Sequence, residues 1–128
     1  MNENEMNQIT GNIIGAAMAV YTALGPGLLE NAYEGCLVYE LRKRNFKVDQ
    51  QLVLPVYYDG LKIDVGYRLD ILVEDVIIVE IKSIEKLAPI HEAQLLTYLR
   101  LSDKRLGLLI NFNAIHLTDG IKRVANKF

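Results

Sequence analysis

Apolar and polar positions follow a helical period over the first third of the chain. Apolar residues recur every three or four positions from Ile9 to Leu24, which predicts an amphipathic helix over that range. The breaker Gly25-Pro26-Gly27 ends it, and helical spacing resumes from Leu28 to Arg44, closing on basic residues that suit a helix C-terminus. We therefore expect two consecutive helices before any strand.

The period changes to two in the middle of the chain. The pattern predicts one strand from Phe46 that runs through Val56-Tyr57-Tyr58 into a hairpin turn at Asp59-Gly60, and one long strand over 62–73. On the long strand, alternation places apolar residues on one face and charged residues, including Asp70, on the other. A charged face on a strand needs an explanation.

A near-continuous apolar run from Val76 to Lys82 is typical of a central strand covered on both faces, yet it ends in two charges. A third helix is expected from Pro89 to about Leu101, and another buried strand from Leu106 to Phe112. The predicted order is helix, helix, three strands, helix, strand. This order predicts an α/β fold with a central mixed β-sheet flanked by helices, in one domain over residues 1–128.

Composition limits the classes of protein that remain. Hydrophobic residues make up 51% of the 128 residues and charged residues 23%, as in soluble globular domains. No apolar stretch reaches the ~20 residues of a membrane span, and the acidic N-terminus is unlike a secretory signal, so we expect a cytoplasmic protein. Cys36 is the single cysteine, which leaves no disulfide or cysteine cluster, and it is expected to be a small buried residue.

The charges at the end of the predicted central strand are the main candidate for chemistry. Glu80 and Lys82 are two positions apart and therefore share a face, and Asp70 lies on the neighbouring strand. A two-residue loop at Glu74-Asp75 would point Asp70 away from Glu80. We therefore expect a three-residue loop or a bulge, which would set Asp70 opposite Glu80.

Two converging carboxylates supply the oxygen ligands that Mg²⁺ or Mn²⁺ prefers. Such a metal ion favours phosphodiester hydrolysis, and Lys82 could orient the attacking water or stabilise the developing charge. The alternative is a structural ion pair, because a lone Glu-x-Lys is common on exposed strands. Glu80 is predicted to lie on a central strand, and a hairpin would bring Asp70 beside it. Both points favour a metal site over a structural ion pair.

Helical residues are weaker candidates for the same site. Glu30 lies in the first turn of the second helix and could hold the metal through water, although an acid there often only complements the helix dipole. Gln94 and Tyr98 share a face of the third helix and could contact substrate, although they could also be a solvated residue and a core residue. His91 and His116 lack metal-ligand spacing and are expected to be solvated.

Together these residues resemble the Asp, then Glu-x-Lys signature of the PD-(D/E)XK nuclease superfamily. More closely, the chain is similar to the GxxExxY family, whose naming motif matches Gly27, Glu30 and Tyr33. Two further blocks match it, at residues 79–83 and 91–99.

The resemblance covers nearly the whole chain and implies a restriction-endonuclease-like core. It implies that Glu30 joins Asp70 and Glu80 around the metal, and that Gln94 and Tyr98 form the Gln-xxx-Tyr element of RecB-type nucleases. Leu69 stands where the superfamily name has proline, a position that varies widely.

The sequence therefore predicts a nuclease dependent on Mg²⁺ or Mn²⁺ that acts on DNA. Its alternative is a non-catalytic module on the same fold that binds nucleic acid or protein. The net charge of −2 means that nucleic acid must be bound by local basic patches. A homodimer is compatible with the sequence, which does not decide it.

Overall fold

Helices and strands are distributed along the whole chain, and the computed structural model describes residues 1–128. In chain order the elements are α1 (Glu3–Leu24), α2 (Glu30–Lys43), β1 (Val48–Val53), β2 (Val56–Tyr58), β3 (Leu61–Ile63), β4 (Arg68–Val73), β5 (Ile77–Lys82), α3 (Pro89–Ser102), β6 (Leu106–Asn111), a 3₁₀ turn (Leu117–Gly120) and β7 (Ile121–Ala125).

The main sheet has five strands in the order β1-β4-β5-β6-β7, so β5 is its middle strand. Strands β5 and β6 are parallel, as the α3 crossover between them allows, and the other neighbours are antiparallel. This arrangement confirms the predicted α/β fold with a central mixed sheet, and it confirms β5 as the central strand. Strands β2 and β3 form a separate two-stranded sheet.

Apolar side chains cover both faces of the main sheet. On one face, α1 and α2 pack over the strands in a cluster of 21 buried residues. On the other face, α3 packs over a smaller cluster of 9. The sheet is therefore the middle layer between two helical layers of unequal size.

The two N-terminal helices begin at different residues from those predicted. Helix α1 starts at Glu3 and not at Ile9, because the Asn2 side chain accepts the Glu5 N–H at 2.8 Å and the two acids of the first turn favour the dipole. Helix α2 starts at Glu30 and not at Leu28, because Leu29 is still extended, with a φ of −72° and a ψ of 154°.

The predicted long strand over residues 62–73 was wrong. It is interrupted between β3 and β4, where Gly66 turns the chain with a φ of +74°. Tyr67 is exposed, and Leu69 packs in the α3 cluster while Ile71 packs in the opposite one, so the predicted single apolar face is also wrong. Apolar residues recur at every second position over residues 62–73, so the sequence pattern does not show that the chain turns at Gly66.

Other predicted elements agree more closely with the structure. Helix α3 and strands β5 and β6 agree to within one residue at each end. The hairpin at Asp59-Gly60 is confirmed, with φ values of +53° and +78° that fit a type I′ turn. Strand β7 was missed, which makes the predicted strand order wrong, because this short strand has a single buried side chain and carries little pattern. Cys36 is half-buried against the larger cluster.

None of the helices combines the length and the apolar character that crossing a bilayer requires.

Candidate active site

The turn between β4 and β5 sets the geometry of the site. Three residues, Glu74 to Val76, separate the paired residues Val73 and Ile77, and Ile71 pairs with Val79 further along. The same register sets Asp70 opposite Glu80. The predicted three-residue loop is therefore confirmed.

Asp70 and Glu80 replace the main-chain hydrogen bonds where the two strands separate. The Asp70 N–H donates to the Glu80 carboxylate at 2.8 Å, and the Ile81 N–H donates to the Asp70 carboxylate at 2.8 Å. Each carboxylate thus accepts an N–H from the opposite strand, which fixes both side chains beside each other. These crossed hydrogen bonds place two acidic groups at the end of the central strand.

Burial makes it costly for both acids to carry a charge. Glu80 is buried, and this burial, followed by the Asp70 charge, raises the pKa of its carboxyl to about 8. Burial is also the main cause that raises the pKa of Asp70, and the Glu34 charge adds to it. The nearby Lys82 ammonium acts in the opposite direction on both pKa values. The Lys82 charge therefore does not offset the negative groups of the site.

Glu34 is a site residue that the sequence analysis missed. It is only 8% exposed and accepts a hydrogen bond from Gln50 at 2.6 Å. The Gln51 side chain donates to Glu34 at 2.9 and 3.0 Å and to Asp70 at 3.4 Å, so it bridges the two acids. The available signal was that Glu34 lies four residues after Glu30 and so shares its face of α2.

Gln51 holds this bridge from an unusual backbone conformation. Its φ is +54° in the middle of β1, and its neighbours Gln50 and Leu52 pair with β4 while Gln51 does not. In this left-handed region a Cβ lies too close to the following carbonyl oxygen, which raises the conformational energy of the residue by about 1–2 kcal/mol. Such strain is concentrated at functional sites, and here it lies next to the two acids.

Glu30 contacts the residue that directly follows β5. Its carboxylate accepts the Ser83 N–H at 3.4 Å, directly after Lys82. The Ser83 hydroxyl donates to the Leu28 carbonyl at 2.5 Å. The first turn of α2 and the residues before it are therefore held against the end of β5.

The two other residues of the Gly-xx-Glu-xx-Tyr pattern shape the loop before α2. Tyr33 is fully buried, stacks on Phe112 at 4.6 Å between ring centroids, donates to the Gly25 carbonyl and accepts the Leu28 N–H. Gly27 supplies the positive φ within that loop. These contacts position Glu30 and Leu28 beside Ser83, and they make Tyr33 a core residue with a satisfied hydroxyl.

Gln94 and Tyr98 lie together on α3 and line a groove of about 280 Å³. Gln94 is exposed, whereas Tyr98 is mostly buried. Burial, followed by the Glu80 charge, raises the pKa of the Tyr98 hydroxyl, so the charge of Glu80 acts on this side of α3. His91 is not simply solvated as predicted, because its ring accepts the Ala88 N–H at 2.9 Å and helps to begin α3, whereas His116 is exposed.

The acidic side chains of the site offer oxygen ligands for a metal ion. No three His, Cys, Asp or Glu side chains form a ready coordination cluster. Two adjacent carboxylates of raised pKa nevertheless fit a hard divalent cation, because such ions are typically held by one or two carboxylates together with water and substrate phosphate. A cation there would offset the repulsion between the acids and release the proton bound by Glu80.

Comparison with known proteins agrees with this geometry. A model of the PD-(D/E)XK nuclease superfamily matches residues 7–124, and the chain belongs to that superfamily. Its members are usually nucleases that use divalent metal ions, so the class implies a nucleic acid as substrate. No curated protein and no solved structure matches the chain significantly.

Proposed function

We propose that this chain is a nuclease that hydrolyses DNA with Mg²⁺ or Mn²⁺ held by Asp70 and Glu80. The observation that carries the proposal is the crossed pair of hydrogen bonds that fixes the buried Glu80 carboxylate beside the half-buried Asp70 carboxylate at the end of the central strand. A structural ion pair would gain nothing from two adjacent acids that repel each other. A cation-binding site requires that arrangement.

Each side chain has a distinct role in this proposal. Asp70 and Glu80 are the metal ligands, and the bound ion supplies Lewis-acid stabilisation of the phosphate and a more acidic water. Lys82 is not a ligand. Its ammonium orients the water and stabilises the charge that grows on the phosphate. Glu30 approaches from the Ser83 side and contacts the ion through water.

Residues outside this centre complete the proposal. Glu34, acting through Gln51, keeps the Asp70 carboxylate oriented. Gln94 and Tyr98 contact the substrate along α3. We further propose that residues 1–128 form one cytoplasmic domain of the GxxExxY family. Two copies of this domain are able to form a homodimer.

A non-catalytic module on the same fold is the second candidate function. One observation favours it, since both carboxylates already accept main-chain N–H groups and could serve only to close the sheet. Such a module would bind nucleic acid or protein without cutting.

A cleavage assay over single-stranded, duplex and branched DNA, with RNA counterparts, separates the two candidates. We expect Mg²⁺ and Mn²⁺ to support cutting, a chelator to stop it, and Ca²⁺ to support binding with little turnover. Glu3→Gln, at an exposed residue of α1, is the matched control for substitutions of the acids. Absence of cutting on every substrate, with metals that bind, would favour the non-catalytic module.

A further inference from the structure

The β2–β3 hairpin carries several exposed apolar side chains. It stands apart from the main sheet, and Tyr57, Tyr58 and Leu61 are exposed, Tyr58 by 77%. A two-stranded hairpin is at best marginally stable alone, and a cluster of exposed apolar side chains usually marks a binding surface. The chain that follows the hairpin carries Tyr67, which is 47% exposed.

A groove separates this part of the chain from α3. One wall is a stripe of α3 at helical spacing, and the other comes from the start of β2 and from Tyr67. The lining residues are Val56, Tyr67, Gln94, Thr97, Tyr98 and Leu101. Its volume of about 280 Å³ lies just below the ~300 Å³ at which pockets for drug-sized ligands begin, so it suits one ring system.

We propose that this groove, together with the exposed face of Tyr67, binds an unpaired nucleobase, so that the substrate is a nucleic-acid strand with unpaired bases. The inference rests on the proposed nuclease function and adds the class of substrate. The Tyr67 and Tyr98 ring centroids are 6.2 Å apart and the ring planes are inclined by 51°. Because rings so inclined offer no parallel slot for a base, the base stacks on the open face of Tyr67. Aromatic side chains bind single strands in this way because every base has a stacking face.

Three further observations favour nucleic acid over a protein partner. Burial, followed by the Glu80 charge, raises the pKa of the Tyr98 hydroxyl, so the charge of that acid acts on a residue that lines the groove. Arg68 follows Tyr67 in the chain, and its guanidinium donates to the carbonyl of Gln51, the residue that bridges Glu34 and Asp70, at 3.3 Å; this exposed cation is available to a backbone phosphate. The Gln94 amide both donates and accepts, as the edge of a base requires.

Binding of labelled oligonucleotides in Ca²⁺, followed by fluorescence anisotropy, tests the proposal. The unmodified protein should bind a single strand more tightly than the duplex of the same sequence. Tyr67→Ala should weaken single-strand binding by about 5- to 150-fold, the loss expected for one stacked base. Tyr67→Phe should keep the affinity because it keeps the ring, and Tyr39→Ala, at an exposed tyrosine of α2, is the matched control.

A single strand with abasic positions, tested on the unmodified protein, does not depend on the folding of any variant. It should bind about as weakly as the normal strand binds to Tyr67→Ala. Equal affinity for normal and abasic strands, preference for duplex, no binding of single strands, or an unchanged Tyr67→Ala would overturn the base subsite. If the tyrosine dependence is found but no metal supports cutting, the nuclease function fails and the subsite stands.

Discussion

The two faces of the main sheet differ in size and in content. The face under α1 and α2 buries a continuous apolar cluster of 21 residues, whereas the face under α3 buries 9 and carries Asp70 and Glu80 beside Leu72 and Ile78. Burying acids costs stability unless they are fully compensated. The larger face supplies stability, and this allows the smaller one to hold two repelling carboxylates.

The largest expected effect on stability comes from the larger face. Ile13 is fully buried in α1, far along the chain from any proposed ligand. Ile13→Ala should lower the free energy of unfolding by about 2–5 kcal/mol through lost burial and a cavity, as measured by urea denaturation. Met18→Ala, at a partly exposed residue of the same helix, is the control. A loss no larger than that of the control would contradict the assignment of stability to this face.

The pH dependence of stability tests the smaller face. The Glu80 carboxyl has its ordinary pKa of 4.5 in the unfolded chain and about 8 in the folded protein, so the folded state binds more protons between these values. Stability from this group is complete below pH 4.5 and is lost as pH rises through 8. In chelator, the free energy of unfolding should fall by roughly 2–4 kcal/mol from pH 5 to pH 9.

Glu80→Gln should remove most of that slope because glutamine does not titrate. Added Mg²⁺ should oppose the loss at high pH, since the ion binds the ionised form. A slope that is the same in Glu80→Gln would mean that Glu80 does not set the pH dependence.

The smallest change in stability is expected at Lys82, where the effect on rate is large. Lys82 is half-exposed and makes no direct ion pair with the acids, so Lys82→Ala should change the free energy of unfolding by less than ~1 kcal/mol. Metal binding should persist while the cleavage rate falls ~100-fold or more. Loss of metal binding in this variant would show that Lys82 supports the ion and not the reaction.

Local patterns predicted the parts of the fold that carry a strong period. The apolar run of β5 identified the central strand. Because side chains alternate between the two faces of a sheet, Asp70 and Glu80 could share a face only with a three-residue loop or a bulge, and the structure contains the three-residue loop. Asp70, Glu80 and Lys82 could be selected because charges at the end of a buried strand are unusual. These inferences use only alternation along the chain and the cost of burying charge.

Contacts between distant segments could not be predicted in the same way. The Gln51 bridge depends on a left-handed residue in β1, and Glu34 becomes a neighbour of Asp70 only when α2 packs beside β1. Strand β7 has too few buried positions to give a pattern. The break between β3 and β4 was hidden because Val65 and Tyr67 continue the alternation although both are exposed.

Calorimetric titration of Mn²⁺ at pH 7, in two buffers of different ionisation enthalpy, tests the central claim most directly because it reports affinity and proton release together. The unmodified protein should bind one ion and release close to one proton, since Glu80 is largely protonated at that pH. Glu80→Gln should bind more weakly, release few protons and cut poorly, while Glu3→Gln should match the unmodified protein. Equal affinity, proton release and cleavage in Glu80→Gln would contradict the metal-dependent nuclease and leave the non-catalytic module.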